Sequence, residues 1–301
     1  MYYIGVDAGG TKTLFSLFNH EGNVLYKVVL GTCHFMQVGY EGLYSVIKEG
    51  INNILENSPV EIEKEDLIVS FGLAGYGKNP EIRANIESSV EKACNGIKYL
   101  LHNDVEIAMK GALGGKDGIV VIAGTGSIAF SINKGKTKRS GGWGFSIGDE
   151  GSAYWIGNKT LNAFSKEVDG RLPKGELYNI VMKECGFGDP YELISYVNEK
   201  LKFKREEIAK FSLTCSKAAE KNDEVAISIF NDAGKEIAEL INLLLIDFKE
   251  DNVPVSYIGG VFKSEELIKT PIMKYMNKKG RLKTPLYTPE YGAYLYGIEE
   301  K

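Results

Sequence analysis

The chain opens with a glycine-rich turn between two short apolar runs. Residues 1–6 and 14–18 have the length and composition of buried strands, and residues 8–10 are typical of a tight turn. Backbone amides at such a hairpin tip can bind phosphate oxygens, and a neighbouring carboxylate, here Asp7, can hold the hydration shell of Mg²⁺. An ordinary glycine hairpin fits the pattern equally well, because short glycine motifs often occur without a ligand.

A strand meander followed by alternating helices and strands is predicted for the first part of the chain. The third strand is predicted at residues 24–30, a helix at 42–55, a strand at 67–73, a helix at 80–94 and a short strand at 97–101. That last strand brings Asn103 and Asp104 to its C-terminal end. The predicted order is β-β-β-α-β-α-β-α.

The same pattern then restarts. Residues 118–123 form an apolar strand, 124–127 a turn and 128–132 a returning strand. Helical periodicity dominates residues 151–249; a strand at 255–260 ends in two glycines, a helix begins at Ser264, and the last helix covers 289–299. Two related units predict an α/β protein with a ligand cleft between its domains, divided near the glycine-rich residues 111–117.

Length, charge and cysteine spacing narrow the class of protein. A chain of 301 residues is long enough for two domains. A net charge of −4 without a basic run argues against a nucleic-acid partner. The four cysteines, Cys33, Cys94, Cys185 and Cys215, are too widely spaced for a zinc site or a disulfide framework. Neither a signal peptide nor a long apolar run is apparent, so we expect a cytoplasmic protein without a membrane span.

The second glycine turn has two competing interpretations. Gly124, Gly126 and Ala129 imitate the spacing of a dinucleotide-binding fingerprint, but that motif must open a helix, whereas residues 128–132 alternate like a strand. A Walker-type loop is excluded because Lys12 lacks the required glycine spacing. Two hairpins that are rich in glycine and threonine fit better as two binding loops for one polyphosphate.

Asp104 is the leading candidate for catalysis. It follows a strand, where it could act as a general base that deprotonates an attacking hydroxyl in phosphoryl transfer. The alternative is that Asp104 caps the helix beginning near Val105.

Residues 141–157 are rich in glycine and contain Trp143 and Trp155, the two tryptophans of the chain. This composition predicts a rigid binding surface, with Trp155 on the apolar face of a helix that ends near residue 168. Asp149 or Glu150 could cap that helix, bind ligand hydroxyls, or do both. His34 and His102 show no ligand spacing.

These motifs resemble a known family. Residues 5–13, 103–104, 123–127, 141–155 and 258–260 resemble, in order, the phosphate, catalytic, second phosphate, signature and adenosine motifs of the BadF/BadG/BcrA/BcrD-type ATPases, in particular their N-acetylglucosamine kinase-like branch within the actin/hexokinase/Hsp70-like superfamily. The resemblance implies two RNase H-like domains, each a mixed sheet flanked by helices, around an ATP cleft. We expect the domains at 1–114 and 115–289, the second with a helical insertion, and a last helix at 290–301 that packs back onto the first.

The resemblance also implies an activity and a set of site residues. The activity is transfer of the ATP γ-phosphate to a sugar hydroxyl, usually O6, with Asp104 as base and Asp7 holding Mg²⁺ through water. Residues expected to bind ATP are Gly9, Gly10, Thr11, Lys12, Thr13, Gly124, Thr125, Gly126, Gly259, Gly260 and Ser264. Residues expected to bind the sugar are Cys33, His34, Asn103, Asp104, Ser127, Ile128, Gly142, Trp143, Gly144 and Asp149. Many relatives form homodimers, so the resemblance implies a homodimer here too.

Two departures from the family pattern leave the identity of the sugar undetermined. Amino-sugar kinases of this type generally have an Asn in the loop that here contains Cys33, and a Ser where this chain has Ala74. N-acetylglucosamine, N-acetylmuramic acid, glucosamine and glucose all remain candidate acceptors. The main alternative is an ATPase activator of a 2-hydroxyacyl-CoA dehydratase or benzoyl-CoA reductase, which needs a cysteine-held iron–sulfur cluster at a dimer interface. A sugar-responsive regulator would need a DNA-binding segment.

Overall fold

The computed structural model describes residues 1–300 and divides into two compact units. Unit 1 comprises residues 1–116 together with the C-terminal segment from Thr284, and unit 2 comprises Asp117–Lys283. The last residue of the predicted C-terminal helix, Lys301, lies outside the described residues. Within them, none of the helices combines the length and apolar character that a membrane crossing requires.

The strands and helices follow one another in the predicted alternation. The strands are β1 (Tyr2–Ala8), β2 (Lys12–Phe18), β3 (Val24–Gly31), β4 (Leu67–Leu73), β5 (Lys98–Asn103), β6 (Gly118–Ala123), β7 (Ser127–Asn133), β8 (Lys136–Gly141), β9 (Val253–Ile258) and β10 (Gly280–Leu282). The helices are α1 (Phe35–Asn57), α2 (Pro80–Cys94), α3 (Asp104–Leu113), α4 (Ala153–Val168), α5 (Glu176–Cys185), α6 (Leu193–Ser195), α7 (Arg205–Ala209), α8 (Phe211–Glu220), α9 (Glu224–Leu245), α10 (Glu266–Tyr275) and α11 (Pro289–Glu299). Short 3₁₀ turns lie at Lys64–Asp66, Pro190–Glu192 and Gly260–Ser264, and a π-helical turn lies at Tyr196–Leu201.

Unit 1 is built on a mixed sheet with the strand order β3-β2-β1-β4-β5. The first three strands form an antiparallel meander, and β4 and β5 run parallel to β1. Every residue of β4 is buried, as expected for a central parallel strand covered on both faces. Because β1, β4 and β5 are parallel, their C-terminal ends meet at one edge of the sheet.

Helices cover both faces of this sheet. On one face, Phe15 and Phe71 of the sheet pack with Leu43 and Ile47 of α1 and Ile86 of α2. On the other face, Tyr294 of α11 packs against Tyr3 and Phe18, with ring centroids 5.5 and 4.8 Å apart. The last helix of the chain is therefore part of unit 1.

Unit 2 repeats the topology of unit 1, with the strand order β10-β9-β6-β7-β8. Strands β6, β7 and β8 form an antiparallel meander, β9 is parallel to β6, and β10 is parallel to β9. Phe164 of α4 and Phe230, Ile237 and Ile241 of α9 are central to its core. The predicted fold class, two mixed sheets flanked by helices, is confirmed.

Local boundaries differ from the predictions where the apolar pattern is weak. The apolar pattern does not predict β8, because most of the side chains of this strand are charged or polar and exposed. Helix α10 begins at Glu266 rather than Ser264, since Gly260–Ser264 forms a separate 3₁₀ turn. Helix α1 begins seven residues before the predicted start at 42 and is interrupted at Gly39, whose φ is 70°.

Candidate functional site

In unit 1, several predicted site residues share one edge of the sheet. Asp7 of β1 lies opposite Gly72 of β4, and Gly72 lies opposite His102 of β5. Beyond these residues, β1 continues into the first glycine turn, β4 leads to Ala74, and β5 ends at Asn103. The amide of Ala74 donates to the carbonyl of Ala8 at 2.9 Å. This hydrogen bond joins the loop after β4 to the end of β1.

Helix α3 begins at this edge with a capping box. The side chain of Asn103 accepts from the amide of Val105 at 2.9 Å, and the amide of Asn103 donates to the carboxylate of Glu106 at 2.7 Å. The N-cap is therefore Asn103, and Asp104 is the first residue of the helix. This corrects the alternative in which Asp104 itself was the cap.

The environment of Asp104 suits a proton acceptor. Burial raises the pKa of its carboxyl group, while hydrogen bonds from the backbone amides of Val105 and Asp104 and the proximity of His34 act in the opposite direction. Its Oδ1 accepts from the Val105 amide at 3.0 Å, which fixes the orientation of the carboxylate. A carboxylate with a raised pKa is a stronger base than an exposed one.

Asp7 lies in an excess of negative charge. Burial and the nearby carboxylates of Glu290 and Asp104 raise the pKa of Asp7 to about 6, against a smaller opposing effect of Lys12. Glu290 accepts a hydrogen bond from Lys27 at 3.1 Å. In the described part of the chain, no group of three or more His, Cys, Asp or Glu side chains could itself enclose a metal ion. A hydrated cation held by Asp7 fits this arrangement better than a fully coordinated one.

The first glycine turn is fixed by hydrogen bonds to its own carbonyls. The amide of Gly9 donates to the carbonyl of Lys12 at 3.0 Å, and the hydroxyl of Thr32 donates to the carbonyl of Gly9 at 2.9 Å. The side chain of Gln37 donates to the carbonyl of Gly10 at 2.8 Å. Gly10, Thr11 and Lys12 are exposed at the tip. The turn is thus rigid and its tip is accessible to an anion.

Two predicted contacts of unit 1 are corrected by burial. The hydroxyl of Thr13 is fully buried and donates to the carbonyl of Gly31 at 2.9 Å, so it is not available to a phosphate. Cys33 is 2% exposed and belongs to the core of unit 1. Burial also raises the pKa of its thiol. His34 is half-buried and caps α1, accepting from the amide of Met36 at 3.3 Å.

In unit 2, the second glycine turn is joined to the start of α4. The amides of Ala153 and Tyr154 donate to the carbonyls of Gly124 and Thr125 at 2.8 and 3.3 Å. The side chain of Ser152 accepts from the Trp155 amide at 3.2 Å and is the N-cap. The prediction that Asp149 or Glu150 caps this helix is therefore wrong, because the helix starts later than its glycine-rich approach suggested.

Ser127 is also corrected. It is buried, and its hydroxyl donates to the carbonyl of Glu150 at 2.6 Å, so it serves the turn rather than a ligand. Its neighbour Ile128 is half-buried and packs near Gly142. The amide of Gly142 donates to the carbonyl of Ser127 at 3.0 Å, which connects the glycine turn to the segment carrying Trp143.

Asp149 forms an ion pair that the sequence did not indicate. It is 3% exposed, and its Oδ2 accepts from Nη2 of Arg205 at 2.9 Å. Arg205 lies 56 residues later in the chain, on α7. A single arginine in a helical region carries no motif, so only the tertiary structure identifies it.

The glycine-rich segment at 141–148 presents an exposed aromatic side chain. Trp143 is 65% exposed and lies under the guanidinium of Arg139, 5.2 Å from its ring centroid. Gly144 is half-buried beside it. Trp155, in contrast, packs against the core of unit 2, which confirms its predicted structural role.

The two glycines after β9 have different surroundings. Gly259 has φ of 115°, and a Cβ placed on it would lie 2.3 Å from the carbonyl oxygen of Ala123. A Cβ on Gly260 would meet nothing within 4 Å. Ser264, at the end of the following turn, borders a groove of about 590 Å³ that is also lined by Asn231 and Pro271.

Comparison with known proteins identifies relatives over nearly the whole chain. Residues 4–297 match the model of the BadF/BadG/BcrA/BcrD ATPase family. The chain is 31% identical over 279 residues to the N-acetylmuramic acid/N-acetylglucosamine kinase of Clostridium acetobutylicum, covering 92% of this chain and 90% of that protein. It is 28% identical to the N-acetyl-D-glucosamine kinase of Dictyostelium discoideum, covering 99% and 98%. A solved structure from Chromobacterium violaceum, provisionally assigned as an N-acetylglucosamine kinase, has a TM-score of 0.75 at 24% identity and covers 99% of this chain and 98% of that one.

Proposed function

This chain belongs to the BadF/BadG/BcrA/BcrD ATPase family, and we propose that it is an ATP-dependent sugar kinase that phosphorylates an amino sugar, with N-acetylglucosamine and N-acetylmuramic acid as the first acceptors to test. The curated relatives that support this choice act on these sugars by name. The observation that carries the proposal is the half-buried Asp104, which begins α3 at the sheet edge that also carries Asp7 and the first glycine turn.

In the proposed reaction, Asp104 orients the acceptor hydroxyl of the sugar, usually O6, and accepts its proton. The sugar oxygen forms a bond to the γ-phosphorus, the bond from that phosphorus to the bridging oxygen breaks, and ADP leaves. A positioned base of this kind contributes about 10²–10⁴-fold to the rate. Gly10, Thr11 and Lys12 contribute amides and a positive charge for the phosphates, while Gly9, whose amide donates to the carbonyl of Lys12, shapes the turn. The hydroxyl of Thr13 takes no part.

Asp7 is the residue that would hold Mg²⁺ through water. The fit rests on the surroundings of Asp7, because burial first, and then the negative charge of the nearby Glu290 and Asp104, raise the pKa of its carboxyl group. A cation would offset that negative charge. When bound with ATP, Mg²⁺ neutralises phosphate charge. Asp7 itself orients the hydration shell.

Unit 2 supplies a second set of groups. Gly124, Thr125 and Gly126 are proposed to bind phosphate, and Gly259, Gly260 and Ser264 to border the adenosine. Asn103, His34, Gly142, Trp143, Gly144 and Asp149 are proposed for the sugar, with Ile128 supporting Gly142. Cys33 and Ser127 are removed from this set because their side chains are committed inside the fold.

The activator of a radical-type acyl-CoA enzyme is the less favoured alternative. Such a protein needs cysteines at the surface, where two copies can share an iron–sulfur cluster. Cys33, Cys94 and Cys215 are buried, and burial raises the pKa of each thiol. Only Cys185, which is half-buried, remains, and one cysteine per copy is fewer than a shared cluster with several cysteine ligands would draw on. The relatives named as sugar kinases favour the same choice.

The test is a panel of acceptors with purified protein, ATP and Mg²⁺, followed by coupled ADP release. N-acetylglucosamine, N-acetylmuramic acid, glucosamine and glucose are compared, and the phosphorylated position is identified by NMR. Sugar-dependent ADP release is expected with at least one amino sugar. ADP release that does not depend on any sugar would contradict the proposal and favour the activator.

The proposed setting is a cytoplasmic homodimer. A supply of ATP and four free cysteines fit a reducing compartment. Sedimentation equilibrium distinguishes a dimer from a monomer of 33.2 kDa.

A further inference from the structure

We propose that Arg205 is a positioning residue that holds the sugar-binding carboxylate Asp149, so that the helical insertion of unit 2 determines the affinity for the acceptor. This inference rests on the proposed function, because Asp149 is assigned there to the sugar. It adds a residue that no motif indicates and that lies outside both glycine turns.

Asp149 needs a partner of this kind. Its side chain is almost fully buried, and its backbone is in the left-handed region with φ of 58°. A non-glycine residue is uncommon there and a buried carboxylate without a partner is strongly disfavoured. The 2.9 Å bond from Nη2 of Arg205 to Oδ2 supplies the compensating charge. With Oδ2 paired to Arg205, the proposed contact with the sugar is assigned to Oδ1.

The chain leading to Arg205 is strained. The π-helical turn Tyr196–Leu201 is followed by Lys202 and Phe203, both in the left-handed region with φ of 51° and 52°. Helix α7 then begins at Arg205 itself. Single π turns and left-handed non-glycine residues are costly and concentrate at functional sites. Arg205, the first residue of α7, follows this turn and contacts Asp149.

Helix α7 also packs closely against α4. A Cβ on Gly157 of α4 would lie 2.1 Å from the carbonyl oxygen of Ile208, so the two helices approach at backbone distance. Ile208 packs with Leu161, Leu201 and Phe211 in a small buried cluster. Since α4 begins at the second glycine turn, Arg205 is held at a defined distance from that turn.

The guanidinium of Arg205 joins three parts of the proposed site. Its Nη2 occupies the space beside Gly126, where a Cβ would lie only 2.2 Å away. Its Cζ lies 5.8 Å from the ring centroid of Phe145, in the same segment as Trp143. A planar guanidinium can contact a carboxylate, a glycine backbone and a ring at once, whereas a lysine ammonium cannot.

The experiment compares Arg205→Gln with Arg171→Gln as a matched control, since Arg171 forms an exposed ion pair with Asp169. Steady-state kinetics by coupled ADP release are measured with sugar varied at saturating ATP, and with ATP varied at saturating sugar. Arg205→Gln is expected to raise KM for the sugar by about tenfold or more, equivalent to the loss of one charged contact. KM for ATP should rise less than KM for the sugar, because Arg205 only borders the phosphate-binding Gly126. Arg171→Gln should resemble the wild type in both.

A double-mutant cycle separates positioning from a general loss of structure. If Arg205 acts through Asp149, the variant Asp149→Asn/Arg205→Gln should have a KM for the sugar no higher than that of Asp149→Asn alone, because coupled residues are not additive. Arg205→Lys, which keeps the charge, should restore part of the sugar affinity. If Arg205→Gln fails to fold, Arg205→Lys is the variant that tests the inference.

An unchanged KM for the sugar in Arg205→Gln, or equal rises in both KM values, would overturn the inference. Additive effects in the double variant would also overturn it. If Arg205→Gln does not fold and Arg205→Lys raises KM for the sugar and KM for ATP equally, the inference is likewise wrong. A wild-type protein that phosphorylates no sugar of the panel contradicts the proposed function instead, and this is observed before any variant is compared.

Discussion

Asn103 is hydrogen-bonded to the backbone of Tyr76: its side-chain amide donates to the Tyr76 carbonyl at 3.2 Å. The same side chain accepts from the Val105 amide and caps α3. One residue thus fixes the loop after β4 to the start of the helix that carries Asp104. A change at Asn103 should therefore alter the stability of the fold, and also sugar binding if Asn103 contacts the acceptor as proposed.

Replacing Asn103 tests these two contacts. Asn103→Ala loses the cap and the bond to Tyr76, so its free energy of unfolding should fall by about 1–2 kcal/mol. Asn103→Asp keeps an acceptor for the cap but cannot donate to the carbonyl, so it should retain more stability than Asn103→Ala. Urea unfolding followed by circular dichroism measures both. Equal losses in the two variants would show that the cap contributes little.

Asp104→Asn should lower kcat by at least about two orders of magnitude, because the amide cannot accept the proton. ATP binding, measured by calorimetry, should persist. Glu106→Gln is the control, since Glu106 lies in the same helix turn and its amide form can still accept from Asn103. Near wild-type turnover in Asp104→Asn would contradict the assignment of the base.

The pH profile provides a second measurement on the same group. The base must be ionised, so kcat/KM should fall as the pH drops through the pKa of Asp104. Because burial raises that pKa, the fall should be centred above the ordinary aspartate value of 3.8. A wild-type profile that is flat down to that pH would argue against Asp104 as the titrating base.

The adjacent glycines after β9 make a matched pair. Gly259→Ala should destabilise unit 2 by several kcal/mol, because its Cβ would collide with the Ala123 carbonyl and its φ of 115° is disfavoured for alanine. Gly260→Ala should leave the thermal unfolding midpoint nearly unchanged, since open space surrounds that position. If Gly260 borders the adenosine, its variant should still raise KM for ATP. Equal midpoints for the two variants would contradict this difference.

Glu167 should make the protein less stable as the pH rises. Its side chain is fully buried on α4, and burial together with the nearby Asp223 raises its pKa from 4.5 to about 7. Unfolded chains lose this proton near pH 4.5 while the folded protein keeps it, so stability falls between about pH 4.5 and 7 and stays low above.

The variant Glu167→Gln removes that loss. At pH 8 it should be more stable than the wild type by up to about 3 kcal/mol, and at pH 4 the two should be similar. Unfolding in urea at both pH values measures the effect. Glu176→Gln is the control, because Glu176 forms an exposed ion pair with Lys221 and should show no gain at pH 8. A Glu167→Gln protein that is less stable at pH 8 would contradict the prediction.

The sequence predicted features whose causes are local. The apolar run of β4, the helical periodicity of α9 and the two glycine turns depend on neighbouring residues, and the structure contains all of them. The resemblance to the family could likewise be recognised from the sequence, because each of its motifs is a continuous run of residues. The fold class follows from the repeated order of these local elements.

Long-range contacts explain what the sequence did not indicate. Cys33 is apolar enough for the core, but only the packing of strands and helices distant in the chain shows that it is buried there. Arg205 is one of many cations in a helical region. Its proposed role depends on its contact with Asp149, which lies 56 residues earlier in the chain. Ser127 became a structural residue because the chain returns past it at Glu150.

Strand β8 ends the sheet of unit 2, and Lys136, Lys138 and Arg139 lie along it with exposed side chains. An unpaired strand edge can template the addition of another strand, and lysine-rich edges oppose this by charge repulsion between copies. The strand that carries the weakest sequence signal thus carries charges that oppose pairing at its open edge. Strand addition at β8 is therefore a disfavoured way for copies of this chain to assemble.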